Sequence, residues 1–406
     1  TWDRSGPMKP SPRFPATRED ALDRLDHFAP HAGHAYATGR NTDFGPDQPG
    51  AVSRLSPYLR YRLITEEEVV AAVLDRHSLA AAEKYVQEVL WRTYWKGWLE
   101  MRPSVWTRFL AGRDRWRDSW TDHAGLADAE GGRTGIDGFD HWARELVDTG
   151  YLHNHARMWF ASIWIFTLRL PWELGADFFL RHLIDADAAS NTLSWRWVAG
   201  LQTPGKSYLA TRENIARFTN GRFAPEGLAT QAFDLSEEPV PPAMPLPPVE
   251  LFDPAQPALL LVTHEDMTPE NQLAPSARIA GAVMSGGNNN LWGAKAQDFV
   301  DSALSDTAAR VGFQMGCDVA TYPHITSEQV IASAHFAGVR QVLTAYAPVG
   351  PMADDLAQMG KDLKAAGITL CPVRRQWDED FWPHATRGFF PFKEQIPAIL
   401  QKRRML

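Results

Sequence analysis

Cysteine is nearly absent: the 406-residue chain has two, Cys317 and Cys371. Two thiols cannot supply a four-thiolate iron–sulfur cluster or a four-cysteine zinc site. They also exclude a disulfide scaffold, which points to a reducing, cytoplasmic setting. An excess of positive charge is missing too. Lys and Arg number 41 against 49 Asp and Glu, a formal net charge of −8. That excludes a surface coated with cations for nonspecific nucleic-acid binding, but not a local basic groove. No apolar segment follows a basic start, so no leader is expected. No apolar run reaches the roughly 18 residues of a membrane span. MWFASIWIFTLRL (158–170) comes nearest; short and interrupted by Arg169, it reads as a buried helix.

Tryptophan, by contrast, is abundant at 16 residues. Each indole is large and its N–H wants a partner, so many must line pockets or pack against other rings. The chain divides into two grammars. From Thr17 to about Arg222 the apolar spacing is helical, as in TREDALDRLDHFA (17–29), with Thr17 as N-cap and Asp20 as its box-like partner. LSEEPVPPAMPLPPVELFDPAQP (235–257) is proline-dense and reads as a semi-rigid linker. Beyond it, short β-rich runs (258–264, 278–284, 340–347 and ITLCPV) alternate with helical ones. This predicts a parallel-sheet, Rossmann-like α/β unit. The expected division is 1–234 helical, 235–257 linker and 258–406 α/β.

Four stretches in the helical half carry chemistry. VSRLSPYL (52–59) places Ser53 and Ser56 around a turn before a helix. Hydroxyls there suit a phosphate, but taken alone an N-cap is the favoured reading. EVLWRTYW (88–95) puts Glu88, Trp91, Arg92 and Trp95 on one helical face, by itself an amphipathic helix with a salt bridge. GYLHNHARMW (150–159) sets Asn154, Arg157 and Met158 on another face, by itself the polar edge of a buried helix. LIDADAASNTLSWRWVAG (183–200) buries Asp185 and Asp187 in an apolar run, followed by Asn191, Trp195 and Trp197. Acids so placed are costly unless partnered.

Together, YATGRN, VSRLSPYLRYRLIT, QEVLWRTYWK, GRTGIDGFD, TGYLHNHARM and LIDADAASNTLSWRWVAG resemble, in order and spacing, the FAD-binding helical domain of the photolyase/cryptochrome family, over residues 17–200. The resemblance implies FAD as cofactor and no metal. It implies that Tyr36, Ser53, Leu55 and Ser56 surround the pyrophosphate and ribityl chain. Glu88, Arg92, Asn154 and Arg157 would line the pocket, with Arg157 facing the isoalloxazine ring and partnered by Asp185. Asp185 and Asp187 would bind the folded ribityl–adenine part, and Asn191 would face flavin N5, where an amide can tune the ring. Trp195 and Trp172 resemble the proximal and middle members of the family's electron relay; the distal member is Trp116 or Trp120.

The implied activity is that of a deoxyribodipyrimidine photolyase, a light-dependent lyase acting on damaged DNA as a monomer, with no membrane partner. Trp91 and Trp197 would hold a flipped-out pyrimidine dimer that Glu88, Asn154 and Met158 contact. Met158, where (6-4)-type members carry His, favours cyclobutane dimers, and the amide of Asn191 fits a photolyase better than the acid typical of plant cryptochromes. Phosphate contacts are expected from Arg108, Arg113, Arg115 and Arg117, or preferably from Lys206, Arg212, Arg217 and Arg222. The alternative is a cryptochrome-like blue-light sensor that binds FAD and signals without repair. The chain departs from the family at Leu193 and Ser194, where small residues are usual, and over 205–223.

Residues 258–406 resemble the family's α/β antenna domain, which there precedes the helical domain. This order implies a circular permutant and leaves open whether a second, antenna chromophore is bound. Two rival sites lie in this half. His264, Glu265 and Asp266 at a strand end could form a small metal or hydrolase site, although neighbouring side chains on an extended strand diverge. SGGNNNLWG (285–293) lacks the Lys-Ser/Thr ending of a P-loop and reads as a surface loop.

Overall fold

The computed structural model describes residues 13–273, 277–286 and 293–406. The first half is all helical. It comprises α1 (Arg18–Phe28), α2 (His34–Gly39), α3 (Ser56–Arg60), α4 (Glu66–Leu74), α5 (Leu79–Glu100) and α6 (Ser104–Trp120). These are followed by α7 (Ala124–Glu130), α8 (Phe139–Thr149), α9 (Asn154–Ser162), α10 (Trp172–His182), α11 (Ala188–Val198) and α12 (Arg212–Phe218). Local chemistry sets several ends. Thr17 caps α1 by accepting from the Asp20 N–H. Thr65 and Glu68 form a reciprocal capping box on α4. Gly150, at φ +70°, closes α8 in the left-handed region. The apolar run after α9 is buried as expected, but Ile163–Thr167 winds as a π-type turn before the chain reverses at Arg169, whose φ is +56°.

The segment 235–256 has no regular structure. It is nevertheless tied down: Arg102 Nε donates to the Pro241 carbonyl (3.0 Å), Met244 N to the Met101 carbonyl (3.0 Å), and Arg374 Nη2 to the Pro247 carbonyl (2.7 Å). β1 (Pro257–Thr263), β2 (Arg278–Ser285), β3 (Val319–Tyr322), β4 (Gln341–Ala345) and β5 (Thr369–Val373) then form one parallel sheet in the order β3-β2-β1-β4-β5. The short edge strand β3 had no signal in the sequence reading. Helices α13 (Glu270–Leu273), α14 (Ala294–Met315), α15 (Ser327–Phe336) and α16 (Pro351–Ala365) connect the strands, and α17 (Gln376–Phe381), α18 (Phe389–Lys393) and α19 (Ile396–Lys402) finish the chain.

Along β1 the side chains alternate between two cores. Ala258, Leu260 and Val262 join the apolar core shared with the helical half, whereas Leu259 and Leu261 pack in a second core with Val330, Val342 and Leu363. Burial on both faces is what a parallel sheet requires. The two halves also lock through buried ions. Arg60 holds Glu265 bidentately (3.0 and 3.1 Å), and Arg62 holds Asp378 (2.8 and 2.9 Å) and lies 3.7 Å from Asp266, which Arg375 of the same half also grips (2.6 and 2.7 Å). Burial alone would raise the Glu265 carboxyl, but Arg60 and His264 outweigh it and hold it well below the usual range. Glu265 and Asp266 are therefore interface residues. Among the described residues no cluster of His, Cys, Asp and Glu could hold a metal ion, and no helix is long and apolar enough to cross a membrane. SGGNNNLWG lies mostly outside the described residues.

Candidate functional site

A cavity of about 730 Å³ opens in the helical half, walled by α2, α3, α5, α9 and α11. Its size suits an organic cofactor. Tyr36, Ser53, Leu55, Ser56, Glu88, Trp91, Arg92, Asn154, Arg157, Met158, Asp185, Asp187, Asn191, Trp195 and Trp197 all line it; Trp172 does not. The i, i+3, i+4, i+7 face of α5 delivers Glu88, Trp91, Arg92 and Trp95 to this one wall.

Asp185 and Asp187 lie at the cavity floor, both buried. Arg157 grips Asp185 with two N–H groups (3.0 and 2.7 Å), and the Ser56 hydroxyl donates to the same carboxylate. Burial pushes Asp185 up, but Arg157 and then Ser56 win and hold it below the ordinary carboxylate value. Asp187 caps α11, accepting from the Ser190 N–H (2.8 Å) while Arg92 donates to its other oxygen (2.9 Å). The N-cap favoured for the 52–59 turn is corrected here. α3 starts from Leu55 without a side-chain cap, because Ser56 spends its hydroxyl proton on an acid 129 residues away. Ser53 braces the turn, accepting from the Leu55 N–H at 3.4 Å, and its hydroxyl also bonds the Tyr85 side chain.

Asn191 donates its amide N–H to the Ala176 carbonyl (2.9 Å), a bond that fixes the side chain in the cavity wall. Asn154 donates to Glu88 (3.4 Å), which also faces Arg40 (3.6 Å). Glu88 is recessed in the cavity though water reaches it, and that enclosure pushes its carboxyl up against the pull of Arg40. Three buried polar atoms on lining residues lack a protein partner: Ser190 Oγ, Arg54 Nε and Trp195 Nε1. Paired acids, hydroxyls, an amide, unsatisfied donors and flat aromatic walls together fit a group with a polar chain and a wide ring, as FAD has.

The indoles singled out by the sequence fall into four groups. At the mouth, Trp91 stacks on Phe389 of α18 (3.7 Å between centroids, 11°) and Trp197 on Tyr208 (5.8 Å, 25°). Deeper, Trp195 contacts Phe179 (5.1 Å), Trp164 (6.2 Å) and Phe160 (6.4 Å) edge to face. Behind α10, Trp172 packs on Phe109 (5.7 Å). Trp195 rests on α10 at Gly175, where an added Cβ would lie 2.3 Å from its ring, one helical turn from Trp172. Trp116 and Trp120 touch each other (5.9 Å) on α6.

Sequence reasoning missed Tyr85, Tyr151, His155, Tyr208 and Asn214, which also line the cavity. The only signal available was their position within or beside the quoted motifs. The two basic clusters fare differently. Arg113 and Arg117 turn inward to Asp177 (3.8 and 2.5 Å), and Arg108 donates to the Glu238 and Pro239 carbonyls of the proline-rich segment. In the second cluster Arg222 pairs with Asp43 (3.2 Å), while Lys206 and Arg217 stand exposed without an ion pair among the described residues.

Residues 85–225 match the family model described as the FAD binding domain of DNA photolyase, a range containing the cavity faces of α5, α9 and α11. The deoxyribodipyrimidine photo-lyase of Streptomyces griseus is 37% identical over 155 residues, covering 38% of this chain and 33% of the relative. A bacterial class III photolyase from Agrobacterium tumefaciens shares 30% identity with a TM-score of 0.43, over 50% of this chain and 43% of that one. The cryptochrome of Synechocystis sp. PCC6803 shares 22% identity with a TM-score of 0.44, over 51% and 44%. The chain thus spans from a third to under half of the length of these proteins.

Proposed function

We propose that this protein is an FAD-dependent, light-driven repair lyase for pyrimidine dimers in DNA. The observation that carries the reading is the convergence of Arg157–Asp185, Arg92–Asp187 and Asn191 at the floor of one cavity whose mouth holds Trp91 and Trp197. FAD held there would supply light-driven one-electron chemistry. The chain's own residues do the rest. Asp185 and Asp187 would hold the cofactor's polar chain, and Arg157, neutralised by Asp185, would hold its ring. Asn191, in the cavity wall, would tune the ring's redox chemistry. Trp91 and Trp197 offer π faces to bases drawn from the stack, and Asn154, Glu88 and Met158 read them. Lys206 and Arg217 supply free cations for phosphate. Trp195 and Trp172 pass electrons inward, with Trp116 as the distal station because its side chain reaches the Glu173 carboxylate next to Trp172.

In the same reading the chain divides at 235–257, and its α/β half is the family's antenna unit moved behind the helical half by circular permutation. A second reading, a blue-light sensor, is favoured by one feature: both mouth indoles are already stacked on Phe389 and Tyr208. The deciding experiment is anaerobic photoreduction of FAD-loaded protein followed by blue light on an irradiated oligonucleotide. Loss of cyclobutane dimers supports repair. Intact dimers with normal flavin loading refute it.

A further inference from the structure

Arg196 is a fully buried cation between Trp195 and Trp197 in the sequence. Its guanidinium lies 6.0 Å over the Trp172 ring. The partner that neutralises it comes from outside the helical half. Glu237, in the proline-rich segment, takes both terminal nitrogens, one at 2.7 Å, and Gln202 takes Nε at 3.3 Å. Trp172 therefore has a unit positive charge against its face whose counter-charge rides on the linker.

We propose that Glu237 is a positioning residue for electron transfer: by neutralising Arg196 it permits Trp172 to carry a positive charge. The inference rests on the relay reading above. In that step Trp172 gives one electron to oxidised Trp195, which returns to neutral. Trp172 then holds the positive charge until Trp116 gives it one electron, and an external thiol, losing one electron and its proton to leave as a thiyl radical, refills Trp116 in turn; the primary oxidant would be light-excited oxidised flavin, which takes up the first electron. A bare guanidinium about 6 Å away opposes that charge, and in an interior of moderate dielectric the penalty is large compared with thermal energy. The linker in this view is an electrostatic part of the site as well as a tether. The Glu173 carboxyl, raised chiefly by its own burial, also feels the Glu237 charge, which sets the linker acid beside this ring.

The test is transient absorption of tryptophan radicals after a flash on full-length, FAD-loaded protein without DNA, for wild type, Trp172→Phe, Glu237→Gln, Glu237→Asp and the double variant Arg196→Gln/Glu237→Gln. Urea unfolding of each is measured alongside. Glu237→Gln is expected to cut the Trp172-dependent radical yield about tenfold or more. Glu237→Asp is expected to keep most of it, and the double variant to recover to within about threefold, because the cation is gone too. A purely structural role would leave the double variant as impaired as Glu237→Gln, or the yield untouched while stability falls; either result overturns the proposal. Should Glu237→Gln not fold, the double variant decides: near-normal yield supports the proposal and a collapsed yield overturns it. A wild type indistinguishable from Trp172→Phe refutes the relay itself, and the inference with it.

Discussion

Replacing Asp185 by Asn removes one negative charge from the cavity floor and little volume. The carboxylate is buried, whereas 23% of the Arg157 side chain remains accessible from the cavity. Breaking a buried ion pair from one side costs about 3–5 kcal/mol when the surviving charge is sealed from water. Here water can reach Arg157, and the amide oxygen still accepts one of the two N–H bonds. The Ser56 hydroxyl can also turn to accept from the new amide. We therefore expect a smaller loss, about 2–3 kcal/mol. Urea unfolding followed by tryptophan fluorescence reads it as a lower midpoint at unchanged slope. The sign with pH follows from the depressed carboxyl. Its stabilisation is fully present above the ordinary Asp value of about 4 and fades as pH falls through the folded value. The gap between wild type and Asp185→Asn should therefore hold steady at neutral pH and narrow below about pH 4. FAD retention on gel filtration should fall in parallel. A variant within about 0.5 kcal/mol of wild type that keeps its flavin would show that the Arg157–Asp185 pair does not organise the pocket.

Three further outcomes follow from the geometry. Gly175→Ala forces a Cβ to 2.3 Å from the Trp195 ring; overpacking of this kind costs about 1–3 kcal/mol, and a changed indole fluorescence with a lower melting temperature is expected, against an unchanged spectrum if Trp195 does not rest there. His153 is held neutral to about 4, chiefly by burial, with Asp43 pulling the other way and His155, Arg54 and Arg157 adding to the depression. The unfolded chain thus binds a proton that the folded one refuses between about pH 6.5 and 4, so stability should fall by up to about 3 kcal/mol across that window and level off below it; urea midpoints of His153→Asn, which can still cap α9, should show a shallower slope, and an identical slope refutes the assignment. Glu265→Gln strips the buried Arg60 of its counter-charge and is expected to cost about 3–5 kcal/mol, with much of the loss recovered in Arg60→Met/Glu265→Gln; equal stability of the single and double variants would contradict a neutralising role at the interface.

Local periodicity made much of this molecule legible. The spacing of Glu88, Trp91, Arg92 and Trp95 states which face of α5 meets a cavity, since residues three and four apart share a side of any helix. The unbroken apolar run in ALLLV states that β1 has two buried faces. Asp185, Asp187 and Asn191 declare a polar floor because apolar runs tolerate acids only where partners await them. β3 gives no such signal: two half-buried and two exposed residues at a sheet edge leave no pattern.

Partners far apart in the chain were beyond that kind of reading. The sequence by itself determined the helix faces, the strand-rich second half and the side chains offered to the cavity, because each follows from a repeat of two or 3.6 residues. Only the tertiary structure decided that Ser56 answers Asp185 rather than its own helix, that Glu265 and Asp266 seal an interface instead of forming a site, and that a linker acid neutralises Arg196 beside Trp172. Those pairings join segments from 41 to 205 residues apart. No local period encodes them, and they arise when the cores close and every buried charge must find its counter-charge.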